Sequence, residues 1–226
     1  MRQVGALTRY HLELLLRGHT WLPPFLAYTL LLVVGVTAGD PLLGDLGYGA
    51  AVLLPVSAWY VRSALNAEPP ASRACLVAVA GPFRVQLGAL VAALTAGLAL
   101  AVAEVAALWW ASGTVANPKV DQPPVGAALS AGLLTSVVCV LLGVLVGALC
   151  NRPVLTRAQY GIPVALALAT AVLVAPGSPA NTAVRGLADA ARTGRVGLPW
   201  LELLSAAGLL AAVAAGTAAL AGWRPE

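Results

Sequence analysis

Few residues in this chain could do chemistry, and they stand far apart. Glu104 sits inside a long apolar run, "LAVAEVAALWW". A carboxylate in the middle of a membrane costs on the order of 3 kcal/mol, so it must face a bundle interior or water. Two roles stay open: a hydrogen bond to a hydroxyl such as Thr135 or Ser136, or the lining of a substrate or proton path. Trp109 and Trp110 follow at once and read as an interfacial belt, which puts Glu104 about a turn and a half below the surface. Glu202 comes just after Pro199-Trp200, where a negative charge complements the start of a helix.

The usual catalytic constellations are missing. There is no G-x-x-x-x-G-K-[ST], and Lys119 is the sole lysine, so the chain cannot hold ATP by a P-loop. G-x-S-x-G and H-E-x-x-H are absent too, and the two histidines, His11 and His19, precede the first apolar run. Cys75, Cys139 and Cys150 lack metal-ligand spacing and are expected to be reduced packing residues. No enzymatic activity, metal or cofactor is expected in this chain, so any energy must come from a partner.

The elements that position these residues follow from composition. Of 226 residues 60% are hydrophobic and 10% charged, with a mean hydropathy of +0.87. A soluble domain carries about a quarter charged residues, so this chain belongs in lipid as a single membrane domain, residues 1–226. A crossing needs about 20 apolar residues, and six segments approach that: 21–39, 46–65, 85–110, 127–150, 159–175 and 200–222. The expectation is an all-α polytopic protein with both termini on one side. Nine of the thirteen basic residues fall in segments that would then be cytoplasmic, which sets both termini inside. Arg185, Arg192 and Arg195 break the rule. With the cations scattered, nucleic acid is not an expected partner.

Val36-Thr37-Ala38 looks like a cleavage site, but some twenty charged, helix-patterned residues precede the apolar run, too many for a signal peptide. At about 100° per residue Arg2, Arg9, Glu13 and Arg17 share one arc, with Val4, Leu7, Leu14 and Leu15 across from it. Residues 2–18 are thus an amphipathic helix in the interface. Glu13 and Arg17 are spaced for an i,i+4 pair, His11 falls in the apolar arc, Gly18 is expected to end the helix, and Pro23-Pro24 suit the first turn of the next.

The charged stretch "RSALNAEPPASRACLVAVAGPFR", residues 62–84, divides two spans. Glu68-Pro69-Pro70 stops the preceding helix. Ser72 is a fair N-cap and Gly81-Pro82 a stop, so residues 71–80 should form a short helix. Its apolar residues Leu76, Val77 and Val79 must rest on lipid, on neighbouring helices or in a groove of another protein. Gly143-x-x-x-Gly147 and Gly208, Ala212 and Gly216 promise close helix packing without naming the partner helix.

The order of parts, carried by "RYHLELLLRGHTWLPP", "GDPLLGDLGYGAAVLLPVSAWYVRSALNAEPPASR" and the short helix that follows, resembles the type-2 permease family of ATP-binding-cassette transporters. The resemblance implies a permease subunit, an exporter in the plasma membrane. It would work as a dimer with a second copy of itself or a related permease, and with a separate ATPase subunit carrying ATP and Mg. It makes residues 71–80 the coupling helix, with Glu68, Ser72, Arg73, Leu76, Val77 and Val79 toward the ATPase. It sets a path between spans two and five, for which Ser57, Trp59, Tyr60, Glu104, Tyr160 and Thr170 are the candidates. Residues 176–199 would either dip into or cap the outer leaflet, or form a solvated loop, with Ala183–Ala191 as a possible short helix. The rival reading is a stand-alone carrier or channel using Glu104.

Overall fold

Over the described residues the apolar runs fold mainly as helices. A computed structural model describes residues 2–151 and 161–223, without the side chains of Arg2, Pro70 and 217–223. Among the described residues there are nine helices and no strand. They are α1 (Arg2–Arg17), α2 (Leu22–Gly35), α3 (Leu42–Asn66), α4 (Pro70–Ala80), α5 (Pro82–Ala111), α6 (Val125–Leu149), α7 (Gly161–Val174), α8 (Pro179–Thr193) and α9 (Trp200–Trp223).

Among the described residues three helices, α3, α5 and α6, are long and apolar enough to cross a membrane by themselves. A fourth crossing results if α7 and α8, bent by 55°, count as one broken span. At 1.5 Å per residue α2, with 14 residues, measures about 21 Å, well short of the roughly 30 Å hydrocarbon core. The helix expected over 21–39 is thus shorter than a full span, because it ends at Gly35 where Val36 turns extended, while Pro23-Pro24 sit in its first turn as expected. These are the helices of a multi-pass membrane protein, although length alone does not make each apolar run a crossing.

α3 is the centre. It packs most extensively on α6, then on α5, α8, α7 and α2. Glycine makes the α3–α6 seam close: a Cβ on Gly147 would come within 2.8 Å of the Ala58 carbonyl, and one on Gly143 would meet the Leu54 carbonyl. The G-x-x-x-G motif therefore serves packing within the chain. On α9, by contrast, added Cβ atoms at Gly208 and Gly216 would meet nothing within 4 Å.

The two ends of the bundle are tied differently. At one end the Leu42 and Leu43 amides donate to the Thr114 and Val115 carbonyls at 2.8 and 3.1 Å, supplying partners that the first turn of α3 lacks. Asn117 donates from its amide to the Ala191 carbonyl at 2.9 Å, joining the 112–124 loop to α8. The segment between the last two apolar runs is thus a packed helix, with Ala180, Ala183, Leu187 and Ala190 buried, and the solvated-loop alternative falls. It is longer than Ala183–Ala191 because Pro179 can start it and Gly194, at φ 73°, ends it.

At the other end α1 lies against α5, where a Cβ on Gly88 would come within 2.9 Å of Leu7 Cβ. Leu7, His11 and Leu15 form its buried stripe. The left-handed residue that closes α1 is His19, at φ 54°, and not Gly18, whose amide instead bonds the Leu14 carbonyl at 2.9 Å.

Candidate functional site

Two groups of polar residues stand out, one inside the bundle and one at the α1/α4 end. Inside, Glu104 on α5 is 2% exposed. Its neighbours are Tyr28 of α2 and Ser136 of α6, and Cys139 lies close by on α6. α3 contributes an absence of side chain: a Cβ on Gly49 would collide with Glu104 Oε1. None of these polar groups reaches hydrogen-bond geometry; both carboxylate oxygens, Tyr28 OH and Ser136 Oγ are buried without a partner. Of the two hydroxyls anticipated for Glu104, Ser136 is the neighbour, while Thr135 donates to the Ala131 carbonyl of its own helix at 2.9 Å. The arrangement is a small polar core that could take up a proton or rearrange its hydroxyls. Among the described residues no group of His, Cys, Asp and Glu could hold a metal ion.

The other path candidates do not join it. Ser57 is fully buried at the α3–α5–α6 crossing, where it closes on Gly97 and Gly143. Tyr60 is buried and donates to the Trp21 carbonyl at 3.4 Å, while Trp59 is half-buried. Thr170 faces outward from α7, its hydroxyl on the Leu166 carbonyl at 2.9 Å. Tyr160 lies outside the described residues.

At the other end, Pro69 and not Ser72 is the cap residue of α4, because Pro70 begins the helix one residue before the expected 71. Ser72 Oγ instead donates to Glu68 Oε1 at 3.3 Å, and Tyr10 OH of α1 reaches the same oxygen at 3.4 Å. Glu68 is 8% exposed, so its carboxylate is occupied within the chain. His11 is buried beside this group, its pKa lowered by burial, raised in part by Glu68 and lowered further by Arg73. Gly81, at φ 83°, separates α4 from α5.

α4 has two faces. Ser72, Arg73, Leu76, Val77 and Ala80 are half-buried, whereas Ala71, Ala74, Cys75, Ala78 and Val79 are exposed. Val79 is 87% exposed. Cys75 is thus no packing residue, unlike the buried Cys139 and Cys150; all three are free. The difference between Val77 and Val79 was not legible in a sequence where both look like one apolar side. Asp45 was also missed: it is buried at the start of α3 and accepts from Ser112 Oγ at 3.0 Å. No family model, curated protein or solved structure matches this chain.

Proposed function

We propose that this chain is the membrane-spanning permease subunit of an ATP-driven transporter, an exporter, working with a second copy of itself or a related permease and with a separate ATPase subunit that carries ATP and Mg. The observation that carries this reading is α4: a rigid helix between two spanning-length helices, exposing an unbroken apolar strip of Ala71, Ala74, Cys75, Ala78 and Val79. An apolar strip at the arginine-rich end of the molecule is costly in water and invites a protein cover. Its opposite face is braced through Glu68 and Ser72 to Tyr10, so a push on the strip would be passed to α1 and α5. Contact with the ATPase then falls on Cys75, Ala78 and Val79, with Arg73, Leu76 and Val77 behind them and Glu68 bracing the helix from within.

The test is to isolate the full chain with its associated proteins and look for a P-loop ATPase, comparing wild type with Ala78→Asp and Val79→Asp. ATPase association and transport should be lost while membrane insertion is kept. Transport by the purified chain alone in sealed vesicles would overturn the reading.

One observation favours the second reading, a stand-alone carrier: the buried carboxyl of Glu104, set beside the hydroxyls of Tyr28 and Ser136. A proton-coupled carrier would lose its pH dependence on Glu104→Gln, whereas an ATP-driven transporter would keep its rate and its pH profile.

A further inference from the structure

In α1 both described arginines have a carboxylate partner, Arg9 on Glu13 at 3.0 Å and Arg17 on the same Glu13 at 3.9 Å, which leaves one positive charge of the three groups unbalanced. α8 is different. Arg185, Asp189 and Arg192 are all exposed on the side away from its buried stripe, and Arg195 follows the Gly194 turn, also exposed. No described carboxylate lies within ion-pair distance of any of the three arginines. Arg185 and Arg192 are seven residues apart, so they share a face about two turns, or about 10 Å, from each other.

These cations are held in place. The buried residues Ala180, Ala183, Leu187 and Ala190 fix α8 on α3 and α6. The 117–121 loop, with exposed Lys119, bonds to its last turn and packs against Gly194. Asp40, Asp121, Asp189 and Glu202 balance Lys119, Arg185, Arg192 and Arg195 over this end as a whole, but the positive charge is concentrated on and just after α8, where three arginines face the single Asp189. The same end of the bundle carries exposed tryptophans, Trp110 at 92% at the close of α5 and Trp200 at 57% at the start of α9. Tryptophan at helix ends marks the headgroup level, where lipid phosphates lie.

We propose that the exposed face of α8 is a binding surface for anionic phospholipid, with Arg185, Arg192 and Arg195 engaging headgroup phosphates of the leaflet that surrounds this end of the bundle. Guanidinium forms two parallel bonds to phosphate, and each basic group near an anionic bilayer surface contributes roughly fivefold in affinity. Lipid held here would steady the bend between α7 and α8 and the loop bonded to it.

The test uses the full chain reconstituted in nanodiscs of equimolar phosphatidylglycerol and phosphatidylcholine, then extracted in mild detergent, with retained lipid counted by native mass spectrometry. Wild type should retain phosphatidylglycerol preferentially. The triple variant Arg185→Gln, Arg192→Gln, Arg195→Gln should lower that preference by about tenfold or more. The triple lysine variant should restore most of it. An unaltered preference in the triple glutamine variant, or none in wild type, overturns the proposal. So does full displacement by inorganic phosphate at constant ionic strength, which would make the surface a free-anion site, and so does occupancy by a protein in place of lipid.

Discussion

Gly49 and Glu104 face each other so closely that one methyl group added to the glycine would fall on the carboxylate oxygen Oε1. The central helix thus admits the carboxyl of α5 only because residue 49 has no side chain. Gly49→Ala should destabilise by about 1–3 kcal/mol through overpacking. In a Glu104→Ala background the same change should cost far less, since only the end of Leu108, 3.2 Å from the new Cβ, would have to give way. Thermal unfolding of the four proteins in one detergent gives the coupling, and additive losses would mean that the two residues do not meet.

Tyr28 and Ser136 border the same carboxyl, but neither hydroxyl is well aligned with it. Tyr28→Phe and Ser136→Ala should therefore each change stability by less than about 1 kcal/mol, since a poorly aligned bond contributes little. A loss above about 2 kcal/mol from either would show that the hydroxyl restrains Glu104.

His11 has its pKa lowered by burial from the ordinary value of 6.5, against the pull of Glu68 and with the push of Arg73. The folded form thus prefers the neutral ring, and its contribution is complete above pH 6.5 and lost as pH falls through the ordinary value toward the lowered one. Hydrogen exchange of residues 2–17 should quicken on acidification below that point, relative to the rest of the chain. His11→Leu should remove the acid response; an unchanged response would assign it to another group.

The two small-residue motifs should respond in opposite ways to bulk. Gly143→Val would drive a side chain into the Leu54 carbonyl and should cost on the order of 3 kcal/mol or prevent folding. Gly208→Val meets open space and should leave the melting temperature of the single chain within a degree or two, apart from any loss of association. Equal damage from both would contradict the arrangement of α9.

Cys75 is exposed while Cys139 and Cys150 are buried. A maleimide should modify one thiol quickly in the native protein and all three only after denaturation. Bound ATPase should protect Cys75 if α4 is the docking helix, and unprotected labelling in an intact complex would place the ATPase elsewhere.

The sequence by itself determined the solvent and the helices. An apolar fraction of 60% requires lipid, and lipid requires backbone hydrogen bonds closed within each segment, so long apolar runs can only be helical there. Proline and glycine punctuation located α4 to within a residue, because both act through local backbone geometry. Local signals could not say which α4 residues face outward, that Glu68 turns in to Tyr10, that Gly49 makes room for Glu104, or that Gly143 and Gly147 seat α3. Each depends on which helix lies alongside, and in a chain of near-uniform apolarity no period distinguishes a face that meets lipid from one that meets protein. Tertiary packing decided those questions because small residues allow close approach only where a neighbour arrives to use the space.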